Sequence, residues 1–311
     1  MKRIKDGGSK HSYASLEMKE NGDCFFLDSN RLCNIQNRFG GESLSEICKN
    51  YPRKLTENFG QSELCIQLSC PEACRLFLLE ENSTDLLEIP GKILEGYTQR
   101  HEHLPNSKSL KPYFKYRNEI RQVFLLLAEA NQYPTAGRIY LMLHFAKMTQ
   151  PFFNRNSKHC PEEMLAVEVD SIASPQNHSQ LVKQFTEVEP DYTSSAAATI
   201  AILAIRYSTE SEYQRYLHTI FSDYDIDLLN EKKTFNKPAL AALIDHYIEQ
   251  RWTIEQVYSD RMEHHIERML VYSCFNYHYI HAKDLLQHIH SIMGLILMEK
   301  ILFSFTRKQG K

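Results

Sequence analysis

From about residue 84 to the C-terminus, apolar positions recur at the spacing of a single helical face. Ile120, Val123, Phe124 and Leu127 follow the i, i+3, i+4, i+7 pattern of an amphipathic helix. Ile139, Met142, Leu143 and Ala146 form the next stripe, opened by Pro134-Thr135 and running to Pro151. Cys160-Pro161-Glu162-Glu163 predicts a further helix start, with proline in the first turn and acids near the positive end of the dipole. The loop Ser174-Pro175-Gln176-Asn177 is expected to end that helix. Leu181, Val182 and Phe185 mark a short helix, and Ala196, Ile200, Leu203 and Tyr207 a long one. Thr209 with Glu212 fits a capping box for a helix carrying Tyr213, Tyr216, Leu217 and Ile220. Residues 223–237 are polar and read as a loop. Leu240, Leu243, Ile244 and Tyr247 then predict one helix after Pro238. Ile254, Val257, Tyr258, Met262, Ile266 and Met269 predict a second, and residues 282–305 a third. The three are expected to pack as an antiparallel bundle.

The first eighty residues read differently. Short segments at 13–20, 23–28 and 31–36 are separated by Asn21-Gly22 and Ser29-Asn30, and Asn-Gly between two such runs is a strong hairpin signal. A small β-meander is expected there. Residues 43–51 look helical, with Pro52 as the stop, and residues 64–68 and 75–79 fit strands or a short helix. The fold expected is therefore mainly α. A small β-containing region covers 1–80, a helical domain 81–222 and a C-terminal helical bundle 223–311. No internal repeat at a fixed period is visible.

Composition narrows the function classes. Hydrophobic residues make up 42% and charged residues 24% of the 311 positions, as in ordinary globular proteins. The formal net charge of -3 argues against a dedicated nucleic-acid partner, which needs a basic surplus. No apolar stretch follows the basic residues 1–10, so no export signal is read, and the run 292–305 is too short and too polar for a transmembrane segment. Eight cysteines without an export signal are expected to be reduced thiols in a soluble protein. Cys65, Cys70 and Cys74 cluster, but their spacing lacks the second pair of a zinc site. The histidines at 264, 265, 278, 281, 288 and 290 lack the accompanying Glu-x-x-His motif of bundle metal sites. No metal and no cofactor are expected. Phosphate-binding glycine loops and the G-x-S-x-G elbow are absent.

Two helix mouths remain as candidate chemistry, one at Pro134-Thr135-Ala136-Gly137-Arg138-Ile139-Tyr140 and the other at Pro190-Asp191-Tyr192-Thr193-Ser194-Ser195, which heads the apolar run 196–205. Thr135-Ala136 followed by Ile139, Leu141, Met142, Leu143, Phe145 and Pro151 resembles the fourth helix of the Vps-nine domain. Tyr192 and Ser195 before an Ala-rich helix resemble its Tyr-Tyr-x-Thr element, and residues 119–130 fit its preceding helix. The resemblance covers about residues 115–207. It implies a guanine-nucleotide exchange factor for endosomal Rab-five-type small GTPases. Tyr192 and Asp191 would act in exchange, and Thr135, Tyr140 and Ser195 would grip the GTPase. The family's first acidic residue falls on Gly137 and the next on Arg138, leaving Asp191 or Asp170 to serve. With no export signal and a sequence rich in Asn, His and Tyr, the chain is expected to be a bacterial effector delivered to host cytoplasm by a non-Sec route.

Two other readings stand beside this one. Asn21-Gly22-Asp23-Cys24-Phe25-Phe26 resembles the nucleophile loop of OTU-family deubiquitinases, which implies Cys24 as a thiolate at a helix N-terminus and His246 of Asp245-His246-Tyr247 as its base. A non-catalytic helical protein that only binds a partner would need none of these residues.

Overall fold

The computed structural model describes residues 2–3, 14–15, 18–20, 23–58, 61–91, 100–101, 116–155, 166, 170, 174–187, 236–276 and 282–306. It is mainly α-helical, as the periodicity requires. The chain divides into two units, residues 1–76 with 86–103 and residues 77–85 with 104–311.

In the first unit, β1 (Lys2–Arg3) pairs with β2 (Ala14–Ser15) over two residues each. The expected meander is replaced by single antiparallel bridges, Met18 to Cys24 and Leu27 to Cys33. Asp28 closes the second loop by accepting from Asn30 and Leu32 N–H at 2.9 Å each. Residues expected to extend as its last strand instead turn helical in α1 (Asn34–Phe39). Leu32 and Phe39 are exposed, so no alternating face is buried that would hold a strand. Ser45 caps α2 (Glu46–Asn50), accepting from Cys48 N–H at 3.4 Å. Chain direction changes at Pro52, and β3 (Arg53–Asn58) and β4 (Gln61–Ile66) pair antiparallel from Arg53–Ile66 to Asn58–Gln61. β5 (Arg100–His101) adds parallel to β3. The segment at 75–79, left open between strand and helix, lies within α3 (Pro71–Leu79).

The second unit is a helical body. α4 (Arg117–Ala128) buries Ile120, Val123, Phe124 and Leu127, the stripe read from the sequence. α5 (Thr135–Arg155) runs through Pro151 rather than stopping there. Pro151 is exposed, so water can satisfy the carbonyl that its missing N–H leaves free. α6 (Pro175–Thr186) starts where a loop was expected, with Ser174 at the N-cap position and proline in the first turn. The two helices expected between Pro238 and Met269 are one, α7 (Lys237–Phe275), 39 residues or about 58 Å long at ~1.5 Å per residue. Neither Gly nor Pro occurs between residues 239 and 275, so nothing interrupts it. Asn236 caps its start through Ala239 N–H at 3.4 Å. α8 (Leu285–Thr306) completes the body. The bundle thus has two long C-terminal helices in place of three.

α8 packs on α5 and α7, α4 packs on α5 and α7, and α6 packs on α5. The core joins Phe124 and Phe145, edge to face at 5.7 Å, to Leu270, Leu285, Ile289 and Ile292. Helix ends are fixed by tertiary partners. Gln150 of α5 accepts from Leu285 N–H at 2.9 Å, inside the body at the first turn of α8. Arg121 of α4 lies 4.8 Å over the Phe275 ring at the other end of α7. Arg268, fully buried, donates to the carbonyls of Phe77 at 2.8 Å and Glu81 at 3.2 Å and so fastens residues 77–81 to α7.

Candidate functional site

The start of α5 is held by two carboxylates of α7. Glu263 of α7 accepts from the backbone N–H of Thr135 at 3.1 Å and from the Thr135 hydroxyl in a short hydrogen bond. A carboxylate here satisfies free first-turn donors and complements the helix dipole. One turn further along α7, Glu267 sits 3.5 Å from the guanidinium of Arg138. Arg138 is 5% exposed and donates to the carbonyls of Tyr133 and Ala128 at 2.8 Å each. The C-terminal carbonyls of α4, the connecting turn and the first turn of α5 are therefore tied to one face of α7.

α6 is laid across the same end of α5 by three contacts at helical spacing. Tyr133 meets His178 edge-on at 6.1 Å, and its hydroxyl shares a 3.2 Å hydrogen bond with Ser179. Gly137 faces Val182, so that a Cβ added to the glycine would lie 3.0 Å and 3.4 Å from the two valine methyls. Tyr140 stacks on Phe185 at 4.7 Å with the rings 17° from parallel. Burial without compensating charge holds His178 below the ordinary histidine range, and its Nε2 has no hydrogen-bond partner.

Beside this stack lies a cavity of about 190 Å³. Among the described residues it is lined by Thr135, Ala136, Ile139, Tyr140 and Leu143 of α5, Phe185 of α6, Ile266 of α7, and Met293, Ile296, Leu297 and Lys300 of α8. Its walls are apolar or aromatic. Lys300 is the one charged residue among the described ones that line it, and no described carboxylate pairs with that ammonium.

Of the residues singled out in the sequence, Thr135 and Tyr140 come together on this cavity. Asp191, Tyr192 and Ser195 lie outside the described residues, as do the helices expected at 196–207 and 209–220. Asp170 is helical and exposed. Gly137 and Arg138, where the Vps-nine pattern expects acids, are a close helix contact and a buried structural cation. Cys24 sits in a bridge with Met18, and no helix begins until Asn34, so the dipole that the OTU loop requires is missing. His246 lies in the middle of α7, not on a strand. Among the described residues no group of three or more Cys, His, Asp or Glu is arranged to hold a metal ion, and no helix is long and apolar enough to cross a membrane.

The helices that enclose the cavity coincide with a family match. The FliB lysine N-methylase C-terminal domain matches residues 121–306, from the second turn of α4 to the last residue of α8, well over half of the chain. The chain belongs to this FliB family. Two lysine-N-methylases, of Salmonella typhimurium and Salmonella choleraesuis, are each 25% identical to it over 133 residues, or 42% of this chain and 30% of theirs. The flagellar biosynthetic protein FliU of Salmonella muenchen is 31% identical over 83 residues, 25% of this chain and 49% of FliU. The aligned stretch thus spans less than a third of the lysine-N-methylases. No solved structure matches.

Membership of the FliB family overturns the exchange-factor reading, with its Rab-five-type GTPase partner, its host endosome and its delivery as an effector. The deubiquitinase and purely non-catalytic alternatives find no support in these relatives. Glu263, Phe185 and Lys300 are the site residues that sequence reasoning missed as such. Glu263 and Glu267 carry the one signal that could have exposed the clamp. They are carboxylates four apart on a helix whose neighbouring Ile266 and Leu270 are core.

Proposed function

We propose that this protein takes part in the N-methylation of lysine side chains, with flagellar proteins as the substrates to test first. The observation that carries the reading is the FliB match over 121–306, which takes in the four described helices that line the cavity. The lysine-N-methylase and FliU relatives support it and supply the flagellar context.

The chemistry asks two things of the protein. The target nitrogen must lose its proton, because only the free amine has a lone pair with which to accept a methyl group. An electrophilic methyl donor, such as a sulfonium, must then be held in line with it.

The test is to incubate the full chain with flagellar protein, a sulfonium methyl donor and a cell extract lacking this protein, and to map lysines by peptide mass spectrometry. Mono-, di- or trimethyl-lysine that depends on the added chain is expected. Unmodified lysines under all donor conditions would remove the reading.

A further inference from the structure

We propose that α6 is a cover on the cavity between α5, α6, α7 and α8, and that it lifts from α5 when His178 takes up a proton. The device is independent of what the cavity receives, so it stands apart from the methylation reading above.

α6 is attached by one narrow stripe. Among its described side chains His178 and Val182 are buried, and Leu181 and Phe185 are half-buried. Gln176, Gln180, Lys183 and Gln184 are exposed on the rest of the helix. The stripe at 178, 182 and 185 meets Tyr133, Gly137 and Tyr140 in turn. α4, by contrast, buries six residues between Ile120 and Ala128 and packs on both α5 and α7. Local opening starts in elements that bury few apolar side chains, so α6 comes away before α4. Phe185 is both the last contact of the stripe and a wall of the cavity. Lifting α6 therefore opens the space beside Ile139 and Tyr140.

His178 supplies the trigger. It is 6% exposed, and its Nε2 is buried with no hydrogen-bond partner. A charge placed there would be cut off from water, so the ring protonates readily only once it has left Tyr133. The described groups around it do not offset that cost. From the α4–α5 turn comes Tyr133, whose hydroxyl is engaged with Ser179. From the first turns of α5 come Arg138, a cation bonded to the carbonyl of that same Tyr133, and Thr135, bonded to Glu263 of α7. Glu267 of α7 is paired with Arg138. On α6 itself, Lys183 is exposed, as is Glu187 just beyond its end. Burial lowers the pKa of the closed form, whereas a ring in water returns to about 6.5. The open form therefore binds the proton more tightly, and it gains on the closed form as pH falls through that value. Between pH 7.5 and pH 5.5 the open fraction rises by up to about tenfold, a factor set by the exposed ring.

Two measurements test this on the full chain. The first is hydrogen exchange read by peptide mass spectrometry and corrected for the intrinsic pH dependence of each amide. Corrected exchange of α6 should rise several-fold, up to about tenfold, from pH 7.5 to pH 5.5 while that of α4 holds. His178→Phe keeps a ring against Tyr133 and should abolish the rise. An unchanged α6, a rise shared equally by α4, or a rise that persists in His178→Phe overturns the switch. The second reads the cavity through Ile139→Cys, at a lining position that is 8% exposed. Its modification by methyl methanethiosulfonate is followed by peptide mapping, alone and combined with His178→Phe, so that the ratio of the two rates cancels the pH dependence of the thiol. That ratio should grow several-fold between pH 7.5 and pH 5.5. A constant ratio while α6 exchange rises would show that α6 moves without uncovering the cavity, which overturns its role as a cover.

Discussion

Replacing Arg138 with methionine keeps most of the side-chain volume and removes every polar contact that the guanidinium makes to the α4–α5 turn and to Glu267 of α7. The guanidinium makes two 2.8 Å bonds to the carbonyls of Tyr133 and Ala128 and lies 3.5 Å from Glu267. Hydrogen bonds to charged groups contribute about 1.5–3 kcal/mol each, and breaking a buried pair by removing one partner costs about 3–5 kcal/mol. These terms overlap, and the Glu267 side chain is partly exposed, 28% against 6% for Arg138, so water recovers part of the loss at that carboxylate. A net loss of about 3–5 kcal/mol is expected, equivalent to a fall in Tm of about 6–20 °C at ~2–4 °C per kcal/mol. Glu267→Gln removes the charge but leaves both carbonyl bonds and should cost about 1 kcal/mol or less. The assay is urea unfolding of the full chain followed by far-ultraviolet circular dichroism, with the double variant closing a thermodynamic cycle. A loss below about 1 kcal/mol in Arg138→Met would refute the clamp, because a buried cation with two carbonyl partners cannot then be what fixes the turn.

Three further outcomes are expected. Gly137→Ala should destabilise although alanine gains about 1 kcal/mol in helix propensity, because its Cβ meets the Val182 methyls at 3.0 Å and 3.4 Å. Adding Val182→Ala should relieve that strain, and an equal effect of Gly137→Ala with or without it would show that the close approach is not what selects glycine. Burial lowers the folded-state pKa of His178, so stability is full above about pH 6.5 and declines as the unfolded chain protonates below it. His178→Phe should flatten that decline without abolishing it, since burial and the neighbouring cations also lower His265; an unchanged slope in stability against pH would contradict the assignment. Cys274 is 1% exposed, and burial together with Glu129 pushes its thiol far above the usual range. It should resist maleimide until the protein unfolds while exposed Cys48 reacts at once; early labelling of Cys274 would place it outside the core.

The helical body was legible in the sequence where apolar spacing alone decides structure. The stripes at 120–127, 139–146 and 181–185 each became a helix face turned inward, because one amphipathic face has only one way to leave water. Breakers were less informative. Pro151 was read as a stop, yet it is exposed and carried within α5. The gap between Tyr247 and Ile254 was read as a break, yet α7 crosses it, since polarity without Gly or Pro does not end a helix. Near the N-terminus, Asn21-Gly22 suggested extended pairing, but the segments after it bury no alternating face and pair only through single bridges.

The candidate site was half visible. Thr135 and Tyr140 were picked out, and both line the cavity, but for a partner that family membership excludes. A short run such as Thr-Ala-x-x before an apolar helix is what any helix start resembles, so it carried the place without the chemistry. Glu263, Phe185 and Lys300 come from three other helices. Only their packing against α5 brings them there, and no local pattern encodes a meeting of residues that lie from about 45 to well over a hundred positions apart.

The central claim is tested most directly by mass spectrometry of flagellar lysines after reaction in the presence and in the absence of this chain. The account predicts methyl-lysine that depends on the chain. Equal methylation without it, or none with it under any donor condition, would contradict the account.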